Sequence, residues 1–139
     1  MIFFNNKEKN PGKDIDLIKV AALLIHTAKI DENYSSKEEE IIKQALLKMG
    51  VKKEDLNNTL NKGKEIEANS IQILDFTKEI KNMSEKNKIK IIESLWRIIY
   101  SNKEADMYET SLMRRLVGLL YIDSKVMGNI KDKIKKENS

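Results

Sequence analysis

The sequence predicts an all-α protein, a single-domain bundle of about seven short helices that contains a duplicated helix–loop–helix. Apolar residues recur at spacings of three and four along most of the chain, and no stretch alternates as a half-buried strand does. Two segments also align with each other without gaps. With 139 residues and no cysteine, the chain has the size of one domain and must form its core without disulfides.

The most apolar helix is predicted to begin after Ser84, and it contains the single tryptophan. Its apolar positions are Ile89, Ile91, Ile92, Leu95, Trp96, Ile98 and Ile99. A helix that is apolar over most of its circumference needs neighbours on most sides. We therefore expect it at the centre of the bundle, with Glu93 and Arg97 paired one turn apart on its polar side.

Two helices are predicted in the first fifty residues. Asp14 is predicted to cap the first, which runs to about Lys29 with an inward face of Leu17, Ile18, Ala21, Leu24, Ile25 and Ala28. The second follows the polar sequence DENYSS and ends at Met49, with an apolar stripe of Ile41, Ile42, Ala45 and Leu46. Gly50 stands where a left-handed residue commonly ends a helix.

A third and a fourth helix are predicted before the central one. The third covers about residues 53–67 and has a thin apolar face, so we expect it to be the most exposed element. Within it, Gly63 costs about 1 kcal/mol relative to alanine unless close packing requires it. The fourth is predicted to be capped by Ser70, with Ile73, Phe76, Ile80 and Met83 facing inward.

The last two helices are predicted over about residues 107–120 and 124–136. The resulting organisation is a mobile N-terminal arm (1–13), a helical domain (14–136) and a disordered tail (137–139). No apolar run is long enough for a secretory signal or a membrane span, so a soluble, cytoplasmic protein is expected.

The net charge of +4 is concentrated near the C-terminus, where the lysines are 125, 131, 133, 135 and 136. A lysine-rich end is one way to hold an anionic membrane or nucleic acid. Peripheral binding of that kind is therefore an alternative function, although the chain has few arginines and no strong nucleic-acid signal.

The repeat pairs residues 27–51 with residues 98–122, at an offset of 71 positions. Each copy runs from a helix end through a polar loop into an apolar helix, and each loop carries oxygen side chains at alternating positions. These are Asp31, Asn33, Ser35 and Glu38 in the first copy, and Asn102, Glu104, Asp106 and Glu109 in the second. Converging oxygens are what Ca²⁺ or Mg²⁺ requires, so both sets are candidate metal ligands.

The same residues have a second interpretation. The patterns Ser35-x-x-Glu38 and Asp106-x-x-Glu109 are capping boxes, which explain them as helix starts without any metal. The match to an EF-hand is poor, because Ser36 and Ile42 replace its sixth-position glycine and twelfth-position glutamate. Caps alone, or caps that also hold a cation, both remain open.

At these residues the chain resembles the TerB-like family, whose name refers to tellurite resistance. The resemblance covers about residues 15–134 and is carried by AALLIHTAKID, DFTKEIK and IKIIESLWRIIYSNKE. The family has an aspartate–glycine pair opening each loop and a glutamate seven residues after the aspartate. Asp31 and Glu38 match this pattern in the first copy and Glu109 in the second, whereas Glu32 and Asn102-Lys103 depart from it.

The resemblance implies an all-helical bundle, an acidic surface that binds divalent metal, and a role in stress-linked multiprotein assemblies. It implies no known enzyme activity. Because the second loop carries a lysine and an amide, we expect any cation at the first loop. The expected partner is a protein that the sequence does not identify.

No constellation of catalytic residues appears in the sequence, so we predict that the protein is not an enzyme. His26, the single histidine, is expected to be a core or boundary residue with one hydrogen bond, or a minor ligand near the first loop. A metal-dependent hydrolase would need His26, Glu93 and the loop carboxylates in one pocket. Trp96 and Tyr100, one turn apart, are expected to pack in the core.

Overall fold

The computed structural model describes residues 11–30, 34–70, 72–101 and 107–137, with side chains from Leu17 onward. Within these ranges the chain forms seven α-helices, one short 3₁₀ helix and no strand, which confirms the predicted fold class. The helices are α1 (Pro11–Ala28), α2 (Ser36–Lys48), α3 (Leu56–Asn69), α4 (Leu74–Ile80), α5 (Glu85–Tyr100), α6 (Met107–Leu119) and α7 (Ser124–Glu137). The 3₁₀ helix, Lys53–Asp55, leads directly into α3.

Two of the predicted helix starts were wrong. Helix α1 begins at Pro11, before the predicted cap Asp14, because proline suits the first helical turn, where its missing N–H is not needed. Ser70 ends α3 instead of starting α4, since its hydroxyl donates to the carbonyl oxygen of Ile66 at 2.6 Å. Of the predicted arm and tail, residues 1–10 and 138–139 lie outside the described residues.

The centre of the bundle is shared by two helices, α1 and α5. Helix α1 packs against α2, α3, α4 and α5, and its residues 20–25 are all buried. Helix α5 packs against α1, α2 and α7 and has the broad buried face that its sequence predicts. None of the helices among the described residues has the length and hydrophobicity that a membrane span requires.

Helix α3 is held against α1 at a point of close approach. A Cβ atom on Gly63 would lie 2.7 Å from the Cβ of Ala21 and 3.2 Å from the backbone nitrogen of Ala22. The glycine that weakens α3 as an isolated helix is therefore what allows α3 to pack so closely on α1. The thin apolar face predicted for this helix is present, with Leu56, Leu60 and Gly63 buried.

The two copies of the repeat end in the same backbone motif. The N–H of Val51 donates to the carbonyl of Leu46 at 3.0 Å, and the N–H of Ile122 donates to the carbonyl of Val117 at 2.9 Å. Both bonds span five residues and close a Schellman motif, whose penultimate residue is left-handed. That residue is Gly50, with φ of 108°, in the first copy and Tyr121, with φ of 56°, in the second.

Candidate functional site

A hydrogen bond joins two helix ends that flank the two loops of the repeat. The first loop covers residues 29–35, between α1 and α2, and the second covers residues 101–106, between α5 and α6. Lys37, in the first turn of α2, donates from its Nζ to the carbonyl oxygen of Ser101 at 3.1 Å. The start of α2 is thereby fixed to the end of α5, where the second loop begins.

The first loop ends in a complete capping box. The backbone N–H of Glu38 donates to the Ser35 hydroxyl oxygen at 3.1 Å, and the N–H of Ser35 donates to Oε1 of Glu38 at 2.8 Å. The Ser35 hydroxyl lies 3.2 Å from the same carboxylate oxygen. Glu38 is only 1% exposed, so this carboxylate is held in the interior at a helix N-terminus. The capping interpretation is confirmed for Ser35 and Glu38.

Replacing Ser35 by alanine should lower the free energy of unfolding by about 1–2 kcal/mol, the upper part of the usual range for an N-cap. The reason is that the substitution removes both the cap of α2 and one hydrogen-bond partner of a buried carboxylate. Ser84→Ala is the matched control, because Ser84 caps α5 with a 3.2 Å bond from the Asn87 N–H but has no glutamate partner. Urea unfolding should show the larger loss for Ser35→Ala; equal losses would contradict a joint role for Ser35 and Glu38.

The second loop repeats one part of this arrangement. Glu109, at the position equivalent to Glu38, lies in the first turn of α6 and is 3% exposed. The remaining predicted ligands lie outside the described residues: Asp31, Asn33, Asn102, Glu104 and Asp106. The described residues alone contain no group of three or more histidine, aspartate or glutamate side chains arranged to hold a metal. What the structure adds is a buried glutamate after each loop.

Tyr34, just before α2, belongs to a polar cluster with Glu39 of α2 and Lys64 of α3. The Tyr34 hydroxyl donates to Oε1 of Glu39 at 3.0 Å, and Lys64 lies 3.0 Å from the same oxygen. The hydrogen bond from Lys64 lowers the pKa of Glu39, whereas burial and the bond to Glu39 raise the pKa of Tyr34. The Glu39 carboxylate thus links α2 to α3 through Lys64 in addition to its contact with Tyr34.

His26 is a boundary residue, one of the two roles predicted for it. Its Nδ1 lies 3.3 Å from Oε2 of Glu67, and its side chain is 36% exposed. Lys29 donates to the other oxygen of Glu67 at 2.7 Å. Glu67 could not be predicted from the sequence, because its position opposite His26 depends on how α3 packs against α1.

Glu93 does not form the predicted pair with Arg97. Instead, Lys133 of α7 donates to Glu93 at 3.0 Å, and Arg97 donates through two nitrogens to Glu137, each at 3.2 Å. Contacts across the α5–α7 interface replace a pair within one helix because α7 brings charged side chains to both residues. His26 is therefore paired with Glu67 of α3, and Glu93 is paired with Lys133 of α7.

Trp96 and Tyr100 pack in the core, as predicted. Their rings stack with centroids 5.7 Å apart, and the Trp96 indole N–H donates to the sulfur of Met127 at 3.3 Å. Lys131 lies 5.4 Å from the centroid of the Trp96 ring. Two of the C-terminal lysines, Lys131 and Lys133, therefore contact α5 and help to hold α7 against it.

Comparison with known proteins gives one result. The chain matches the family described as Tellurite resistance protein TerB over residues 17–132, from the middle of α1 to near the end of α7. No curated protein and no solved structure gives a significant match. The match extends over most of the chain and agrees with the all-helical repeat described above, so this protein belongs to the TerB family.

Proposed function

We propose that the protein is a non-enzymatic interaction module of the TerB family whose first loop binds a divalent cation, Ca²⁺ or Mg²⁺. The observation that supports this most is the pair of buried glutamates, Glu38 and Glu109, at equivalent positions after the two loops. Buried carboxylates are costly unless charge or hydrogen bonds compensate them. The capping box supplies hydrogen bonds to Glu38, and a carboxylate at each of two equivalent positions is a ligand type that a hard cation takes in proteins.

The first loop carries the types of oxygen donor that a hard cation prefers. Ser35 and Glu38 are described there, and Asp31 and Asn33 precede them in the sequence at alternating positions. The capping box uses Oε1 of Glu38, and an ionised carboxylate can accept more bonds than this cap provides. A complete set of ligands requires Asp31 and Asn33, because Ser35 and Glu38 alone are too few.

The second loop is the weaker candidate. The ammonium of Lys37 occupies a carbonyl oxygen at its start, and Lys103 brings a further positive charge in the sequence. Both charges oppose a cation at Asn102, Glu104, Asp106 and Glu109. For this reason we assign the cation to the first loop.

The module is proposed to act by binding a protein partner, either in the tellurite resistance to which the family name refers or in a wider stress response. The alternative of peripheral membrane or nucleic-acid binding has less support. Lys131 and Lys133 contact α5, which leaves less of the C-terminal charge for an external polyanion.

The cation is tested by titrating Ca²⁺ and Mg²⁺ into metal-free protein while recording melting temperature and amide NMR shifts. Binding only to the folded state should raise the stability by about 2.7 kcal/mol at a metal concentration 100 times Kd. The shifts should be centred on residues 31–38. Asp31→Asn should abolish the effect, and Glu65→Gln, at an exposed position on α3, should leave it unchanged. An unchanged melting temperature and spectrum at millimolar metal would reject the cation.

A further inference from the structure

An open groove of about 340 Å³ lies between α4 and the end of α6. Its apolar wall includes Leu74, which is 46% exposed, together with Leu119 and Tyr121. The charged residues that line it are both lysines, Lys78 and Lys81. The groove therefore combines exposed apolar surface with positive charge, and its lining includes no residue of either loop of the repeat.

Tyr121, which lines this groove, has an unfavourable backbone conformation. Its φ of 56° is a left-handed conformation, in which a tyrosine is uncommon and glycine is preferred. The equivalent residue of the first copy is Gly50, which closes the same motif without that disadvantage. The Tyr121 side chain is 70% exposed, so burial in the core does not explain the choice of tyrosine. Strained residues that packing does not require are found most often at functional sites.

Positive charge is concentrated around the exposed ring. The ammonium groups of Lys81 and Lys88 each lie 5.9 Å from the centroid of the Tyr121 ring. Within the described part of the chain, Lys78, Lys81 and Lys88 have no carboxylate within 4.0 Å. Two lysines without an acidic partner, Lys78 and Lys81, thus line the apolar groove, and the buried Lys88 adds positive charge beside the Tyr121 ring.

We propose that this groove binds an acidic peptide segment of a partner protein. An apolar side chain of the segment packs against Leu74, Leu119 and Tyr121, while its flanking carboxylates pair with Lys78 and Lys81. The charge complementarity identifies the occupant, because a second copy of the chain using the same face would bring lysines against lysines. This inference specifies the partner of the interaction module proposed above and does not involve the cation.

The test uses the full chain in EDTA and a fluorescent eight-residue peptide of glutamates around a central Leu-Phe pair. EDTA separates this proposal from the cation, because loss of metal binding leaves the groove intact. We expect binding that weakens with salt, and at least tenfold weaker binding for Lys81→Glu and for Tyr121→Gly. The control Tyr108→Gly removes an exposed tyrosine in the first turn of α6 that does not line the groove, and this variant should bind the peptide normally.

Tyr121→Gly also separates binding from folding. Relief of the left-handed tyrosine should raise the melting temperature by about 2–4 °C while binding weakens at least tenfold, so the weaker affinity cannot be attributed to unfolding. NMR shifts caused by the peptide should map to Leu74 and Leu119. The proposal is overturned if the peptide does not bind at 1 mM, if Tyr121→Gly binds it normally, or if an oligonucleotide or phosphatidylserine vesicles bind the same lysines more tightly.

Discussion

Replacing Trp96 by alanine should lower the free energy of unfolding by about 3–5 kcal/mol, as expected when a buried tryptophan is truncated. The side chain is 2% exposed, stacks on Tyr100 and donates its indole N–H to Met127. It also provides the ring beneath the Lys131 ammonium. The substitution therefore removes core volume and much of the contact that holds α7 on α5. Because small domains are stable by only about 5–15 kcal/mol, the variant should be close to unfolding at 37 °C.

The measurement is urea or thermal unfolding followed by circular dichroism, with Trp96→Phe and Tyr108→Ala for comparison. Phenylalanine keeps most of the ring volume but lacks the indole N–H. The decrease in the free energy of unfolding for Trp96→Phe should therefore be less than half of that for Trp96→Ala. Tyr108 is an aromatic side chain that is 74% exposed, and its removal should change the stability by less than about 0.5 kcal/mol. A loss below about 1 kcal/mol for Trp96→Ala would show that this ring does not hold the core together.

The positions and types of the helices were predictable because they depend on local signals. The apolar spacing of α5 and the cap at Ser84 are both patterns of residues close together in the sequence. The two wrong helix starts arose where local signals compete, since the Ser70 hydroxyl donates back to Ile66 instead of capping the next helix. The wrong ion pair arose where a tertiary contact decides between local alternatives. Glu93 and Arg97 have the spacing of a helical pair, yet α7 supplies closer partners for both. The sequence around α5 alone carries no information about that helix.

The parts of the candidate sites that could be predicted are those that follow a local pattern or occur in both copies of the repeat. The capping box of Ser35 and Glu38 is a local pattern, and the burial of Glu109 agrees with its alignment to Glu38. Lys37 gave no signal, because its acceptor is a backbone carbonyl that follows 64 residues later. The groove did have a signal in the alignment of the two copies, where Tyr121 replaces Gly50 at a left-handed position. Only the backbone geometry shows that this replacement is unfavourable.

Replacing Gly63 by alanine should destabilise the protein by about 1–3 kcal/mol, the usual cost of adding atoms to a tightly packed contact. Local helix propensity predicts the opposite sign, a gain of about 1 kcal/mol. Packing should dominate because the new Cβ would meet the Cβ of Ala21 at 2.7 Å and the backbone of Ala22 at 3.2 Å. A methyl group against backbone cannot move aside as the end of a flexible side chain can, so α3 must shift away from α1. The measurement is the free energy of unfolding in urea.

Gly128→Ala is the matched control, since a Cβ at Gly128, within α7, meets nothing within 4 Å. It should stabilise the protein by about 0.5–1 kcal/mol, so the same substitution in two helices should have opposite signs. Ala21→Gly removes the closest of the contacts but not those to the backbone, and the double variant with Gly63→Ala should be less unstable than the sum of the single losses. A gain in stability for Gly63→Ala would mean that α1 and α3 separate at little cost. The close approach of these two helices would then not be what keeps the thin-faced α3 in the bundle.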